Sequence, residues 1–218
     1  MSDAEDAEDA EDAGAARPGG PGGPAEPVEL AELVRRRTAG TAAALASIED
    51  QADGVARLLA ATLACLRAGG TVFTCGNGGS AAEALHLAEE LVGFYRDRDR
   101  PPRRAVCLAS DPTVLTCIAN DAGFETVFAR PLEALGRPGD LLVALSTSGR
   151  SPNVLRALEV ARAGGLVTAG LLGGDGGPAR ALCDHAVVID APDGGAVQEA
   201  HLVLVHLICE AVEREPTG

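Results

Sequence analysis

The chain has 218 residues and a formal net charge of −14, and all 18 of its basic residues are arginine. Without lysine it has neither a Schiff-base nucleophile nor the lysine of a P-loop. An acidic balance argues against binding nucleic acid, which draws mostly on neutralising phosphates.

Hydrophobic residues make up 46% of the sequence and aromatics only 2%, so the core must be built from Ala, Leu and Val. The length fits one domain with appendages. No apolar run approaches the roughly 20 residues needed to cross a bilayer, and the acidic start is unlike a secretory signal. A cytoplasmic protein with no membrane or nucleic-acid partner is expected. The six cysteines, Cys65, Cys75, Cys107, Cys117, Cys183 and Cys209, contain no C-x-x-C pair. They read as reduced, buried thiols rather than as a disulfide framework or metal cluster.

Residues 1–27 hold eight acids and one arginine, half of the net charge, and end in a Pro/Gly-rich run. Like-charge repulsion and helix breakers predict a disordered tail. From Pro27 to about Arg67 two helices are expected. The second carries Val55, Leu58, Leu59, Thr62, Leu63 and Leu66 as an i, i+3, i+4, i+7 stripe.

Next comes an alternation of strands (71–75, 104–108, 140–145, 165–172, 186–189) and helices (79–95, 112–119, 151–163, 178–183, 196–213). Most of the strands are continuous apolar runs, as parallel strands buried on both faces are. The rhythm predicts a doubly wound α/β sheet, in which ligands bind beyond the carboxyl ends of the strands.

Two of those ends carry unusual chemistry. After the first strand, Gly76-Asn77-Gly78-Gly79-Ser80 runs into a helix, offering backbone donors to a phosphate or a sugar hydroxyl. Gly76-x-Gly78-x-x-Ala81 also fits the loose dinucleotide fingerprint, but no second-strand acid follows at the required distance. After the third strand, Ser146-Thr147-Ser148-Gly149-Arg150-Ser151-Pro152 opens another helix, with Ser151 as N-cap and Pro152 at the first helical position. A plain helix entry needs one hydroxyl, and this loop has four. Phosphate binding accounts for the surplus, and two such loops without a P-loop lysine suit a sugar phosphate better than a nucleotide.

On the helix after Ser80, His86 and Glu90 stand i, i+4, beside Glu83 and Glu89. That spacing can hold a divalent metal or serve as an acid–base pair, and it equally describes a solvated acidic face. It does not choose between Glu89 and Glu90. The last helix is apolar on nearly all sides around Gln198, His201 and His206, as a buried or interfacial helix would be. His185, beside Asp184, reads as structural.

Taken in order, Cys75-Gly-Asn-Gly-Gly-Ser80, His86-x-x-Glu89-Glu90, Asn120-Asp121, Ser146-Thr-Ser-Gly-x-Ser151 and Gln198-Glu199-x-His201…His206 resemble the sugar-isomerase (SIS) domain family over about residues 28–214. The closest likeness is to its sedoheptulose-7-phosphate isomerase branch. The resemblance implies a three-layer αβα sandwich with a five-stranded parallel sheet and an N-terminal helical pair. It also implies a homotetramer with active sites at subunit contacts. The implied reaction converts D-sedoheptulose 7-phosphate to D-glycero-D-manno-heptose 7-phosphate, with Glu90 as base and His206 as its acid–base partner. Zinc, one ion per subunit, would be held by His86, Glu90, Gln198 and His206, and no nucleotide cofactor is implied. Asn77, Gly78, Gly79, Ser80, Glu90, Asn120, Asp121, Ser146, Thr147, Ser148, Ser151 and Gln198 would hold the substrate.

The chain departs from the family pattern at Phe94 and Ala196, where arginines are usual, and both changes remove charge that could help hold a phosphate. The rival expectation is a non-catalytic SIS regulator that binds a partner protein. Retention of Glu90, Gln198 and His206 together argues against it. A Rossmann-type oxidoreductase is a distant third.

Overall fold

The computed structural model describes residues 26–191 and 193–215. The expected tail lies almost wholly outside them. The chain divides between Arg35 and Arg36 into two units. The described part of the first is little more than the opening turns of α1 (Pro27–Glu49), where Val28, Leu30 and Leu33 are exposed.

The second unit continues α1 and adds α2 (Ala52–Arg67), β1 (Val72–Cys75), α3 (Gly79–Val92), β2 (Ala105–Cys107) and α4 (Pro112–Ala122). There follow a 3-10 turn (Phe124–Thr126), α5 (Ala129–Leu135), β3 (Leu141–Ser146) and α6 (Pro152–Ala163). The chain ends with β4 (Val167–Gly173), α7 (Ala179–Leu182), β5 (His185–Ile189) and α8 (Gly194–Glu213). The strands form one five-stranded sheet in the order β2-β1-β3-β4-β5, and every pair is parallel.

Successive strand side chains point to opposite faces, and both faces are covered. Val72, Leu141, Val143, Leu145, Leu171 and Ile189 face the layer that contains Leu58, Leu87 and Leu204 of α2, α3 and α8. Phe73, Leu142, Ala144 and Leu172 face the layer of α4, α5 and α6, with Ile118, Leu132 and Leu158. This double burial is why the strands read as unbroken apolar runs. The sandwich and the helical pair agree with the expected fold.

Three local readings are corrected. The helix α5 was not anticipated, because it is only seven residues long and carries Pro131, which interrupts any helical pattern. The helix α3 stops at Val92 rather than 95, with Gly93 as its C-cap. Cys117 is exposed on the outer side of α4 and Cys183 only partly covered, while the other four cysteines are buried. By length and composition α8 could cross a bilayer. Here it is a core helix, with Val197, Ala200, Leu204, Val205 and Ile208 buried against the sheet.

The N-terminal edges of β1 and β3 are pinned by Asp140, which is almost fully buried. One carboxylate oxygen accepts from Thr71 N–H (2.8 Å) and the other from Arg137 N–H (2.8 Å). Asp140→Ala would leave the buried Thr71 N–H unpaired and free the Arg137 N–H at a partly exposed site, so it should lower the unfolding free energy in urea by about 1–3 kcal/mol. A change within about 0.5 kcal/mol, as expected of an ordinary surface site, would contradict the pinning role.

Candidate active site

In this strand order the chain leaves β1 for β2 on one side and returns to β3 on the other. The crevice between the carboxyl ends of β1 and β3 is therefore the topological switch point. The two strands pair up to Cys75↔Ala144, so the glycine turn and the serine loop emerge side by side. They are tied by a reciprocal amide pair. Asn77 Nδ2 donates to Asn153 Oδ1 (2.9 Å) and Asn153 Nδ2 donates to Asn77 Oδ1 (2.8 Å).

Gly78 takes a φ of +55° and caps α3 without any side-chain bond. The first N–H groups of α3 thus face the crevice without a capping side chain, where the helix dipole favours an anion. In the serine loop, Gly149 has a φ of +63°, and a Cβ there would collide with the Gly176 carbonyl. Ser146 is buried and its Oγ accepts from Gly149 N–H (3.0 Å), while Ser148 Oγ accepts from Arg150 N–H (3.2 Å). Ser151 is the N-cap of α6 but makes no side-chain cap bond. The hydroxyls thus divide between shaping the loop and remaining available to a ligand.

The helices α3 and α8 run side by side in the same direction, and their facing positions make a polar seam. At its start the Gln198 side chain lies so close over Gly79 that a Cβ there would stand 2.5 Å from Nε2. One turn on, Glu83 Oε2 stands 3.9 Å from His201 Nδ1. Further along, His86 Nε2 meets Glu90 Oε1 at 3.1 Å. The His206 ring stands edge-on to that of His86, with centroids 5.3 Å apart, and Tyr95 packs on its other side at 5.4 Å. The structure thus brings His86, Glu90 and His206 together and leaves Gln198 two helical turns earlier. It also separates two neighbours that spacing could not, since Glu89 is exposed and Glu90 is partly buried in the seam. The second oxygen of Glu90 is buried without a hydrogen-bond partner.

Asn120 and Asp121 sit at the exposed end of α4. Asn120 Nδ2 donates to Asp121 Oδ1 (2.7 Å). The inner side of α4 and the glycine turn enclose a cleft of about 270 Å³ lined by Gly76, Asn77, Gly78, Thr116, Ala119 and Phe124. His185 opens the edge strand β5, away from this crevice, as a structural residue would.

Sequence reasoning missed Asn153, Tyr95 and the Glu83–His201 contact. Asn153 looks like any first-turn residue and Tyr95 like a loop aromatic. The pairing of Glu83 with His201 depends on how two distant helices align. His201 is fully buried and neither ring nitrogen has a hydrogen-bond partner. Burial pushes its pKa down to about 4. Burial likewise pushes the Glu83 carboxyl up to about 7.

These shifts fix a stability profile. A raised Glu83 pKa means stability is fully present below its unfolded value and is lost as pH rises through about 7. The loss is on the order of 3 kcal/mol. His201 acts in the opposite sense, losing stability as pH falls from its ordinary range towards 4. Glu83→Gln cannot ionise, so its melting temperature relative to wild type should rise from pH 5 to pH 8. A difference that stays constant across that range would contradict the buried, proton-holding state of Glu83.

The SIS domain model matches residues 22–173. The phosphoheptose isomerase of Akkermansia muciniphila is 46% identical over 175 residues, 80% of this chain and 90% of that protein. The phosphoheptose isomerase of Chlorobaculum parvum is 52% identical over 165 residues, 74% of this chain and 78% of that protein. Among solved structures, phosphoheptose isomerase from Neisseria gonorrhoeae superposes with a TM-score of 0.78 at 35% identity, covering 85% of this chain and all of that one. On this identity and coverage, the chain belongs to the SIS-domain family and, within it, to the phosphoheptose isomerases.

Proposed function

We propose that this chain converts D-sedoheptulose 7-phosphate to D-glycero-D-manno-heptose 7-phosphate, moving a proton from C1 to C2 through an enediol. The observation that carries the reading is the state of Glu90. One carboxylate oxygen is held by His86 and the other is buried with no partner, beside a second imidazole. Such an oxygen is placed to take a proton from carbon and give it back, because its basicity is not quenched by another donor. Glu90 takes the C1 proton and returns it at C2, while His206 moves the hydroxyl proton from O1 to O2. Atoms and charge balance with no net redox change.

The phosphate falls to the loop after β3, where the Thr147, Ser148 and Ser151 hydroxyls accompany the N-terminus of α6. Asn77, Gly78, Gly79, Asn120, Asp121 and Gln198 hold the sugar hydroxyls.

The donors fit a zinc ion, since two imidazoles and a carboxylate with an unpartnered oxygen gather at one place. His86, Glu90 and His206 would hold it, while Gln198, the other expected ligand, stands two helical turns from them in this chain. When bound, it would polarise the substrate carbonyl and offset the enediolate charge.

A homotetramer is supported by the apolar side chains left exposed on α3 and just beyond it, Leu85, Val92 and Phe94. A reducing, cytoplasmic setting is supported by six free cysteines.

The test is incubation with sedoheptulose 7-phosphate in deuterated water, with and without added zinc. Deuterium is expected at C2 of the heptose product, and no turnover from folded protein would overturn the reading. Glu90→Gln should retain substrate binding and lose at least about 10²-fold in turnover. Wild-type rates in that variant would remove Glu90 from the role of base.

A further inference from the structure

The end of α3 carries a buried cation that the reaction scheme does not use. Arg100 is 4% exposed. Its Nη1 donates to the carbonyls of Leu91 (3.1 Å) and Pro101 (2.9 Å), and its Nη2 to those of Glu90 (2.7 Å) and Gly93 (2.9 Å). The last carbonyls of a helix have no partner within it, and here one guanidinium fills three of them at the turn that bears Glu90. A cation there also offsets the negative end of the helix dipole. These three bonds close the 93–101 loop back onto the helix, and the fourth, to the neighbouring Pro101 carbonyl, holds the guanidinium in place.

That loop carries Tyr95, whose ring packs on His206. Its middle is held by Glu213 of α8, whose Oε1 accepts from the N–H groups of Arg96 (2.7 Å) and Asp97 (2.9 Å). The loop therefore runs from the backbone of Glu90 to the ring beside His206, and Arg100 fastens it at both ends.

We propose that Arg100 is a positioning residue for the isomerisation. Its guanidinium sets the backbone of Glu90 and the loop that presents Tyr95 to His206, so one buried side chain keeps base and imidazole in register. The proposal rests on the assignment of Glu90 and His206 made above. It requires the planar fork of arginine, because a lysine ammonium in the same place cannot reach four carbonyls at once.

The test compares wild type, Arg100→Lys, Arg100→Ala and Asp140→Ala at a temperature where all four are folded by circular dichroism. Asp140 lies at the same N-terminal edge of the strands, but its carboxylate holds Thr71 and Arg137 rather than α3 or the 93–101 loop, and it serves as a destabilised control. Arg100→Lys should lose on the order of 10-fold to 10²-fold in kcat with KM changed less than about threefold, since the phosphate loop is untouched. The His206 ring-proton resonances should shift as the Tyr95 ring leaves. Asp140→Ala should keep wild-type kcat and unshifted resonances. Millimolar guanidinium should restore part of the kcat of Arg100→Ala, and ammonium should not.

Wild-type kcat in folded Arg100→Lys, or an equal loss in Asp140→Ala, would overturn the proposal. Should Arg100→Ala fail to fold, Arg100→Lys and the His206 resonances decide it. Glu90→Gln, assayed alongside, separates the two claims. If it stays active the base assignment fails. If it is dead while Arg100→Lys is unimpaired, only the role of Arg100 fails.

Discussion

The pairing of β1 with β3 fixes where everything else in this protein falls. These are the adjacent inner strands between which the chain reverses its direction of winding, and each is followed by one of the two ligand loops. Parallel strands in register release their loops at the same height, so a glycine turn and a serine loop about seventy residues apart in the chain become one crevice. Both ends of the pairing are locked by side chains. Asp140 holds the start of the two strands, and the Asn77–Asn153 amides hold the loops beyond them. A slip of one residue would turn every apolar side chain of a strand to the wrong layer, which makes the alignment of the loops as firm as the core itself.

The second constraint is the contact of α3 with α8. Small residues let these helices approach, with Gly79 under Gln198 and Ala84, Ala88 and Ala200 buried between them and the sheet. Into that close contact the sequence places Glu83, His86, Glu90, His201 and His206, and several of their polar atoms lack partners. Burying such groups unpaired costs stability. An apolar seam would hold the helices more firmly. The polar one raises the energy of the ground state at the place where a proton must be accepted and returned, and this is the sense in which the seam serves chemistry at the expense of stability.

The inner strands were legible because each is buried on both faces, which leaves an unbroken apolar run, and a helix entry was legible from local chemistry, Ser151 and Pro152 opening α6. The helix α5 was not, because Pro131 hides a seven-residue helix whose existence depends on docking Leu132 into the core. Within the site, the phosphate loops could be read because glycine and serine patterns act locally. The choice of Glu90 over Glu89 could not, since both lie on one helix and only the packing of α8 buries one of them. Arg100 lies in a run of charged residues that reads as solvated loop, and nothing local says that its side chain turns inward to cap a helix ten residues earlier.

The two departures from the family pattern look different once their surroundings are known. Ala196 is fully buried, and its N–H donates to the Asp193 carboxylate in the first turn of α8. A long charged side chain has no room at that position. Positive charge still reaches the turn, because the Arg37 guanidinium lies 2.6 Å from where a Gly195 Cβ would stand, paired with Asp193 and Glu199. Phe94 is similarly surrounded. Arg98 lies over its ring at 5.6 Å, and Arg96 lies over the neighbouring Tyr95 at 4.8 Å. Each missing arginine is thus matched by another arginine from a nearby stretch of chain. The charge differs mainly in where it is attached, and the carboxylates beside Arg37 leave less of it for an anionic substrate than a free guanidinium would.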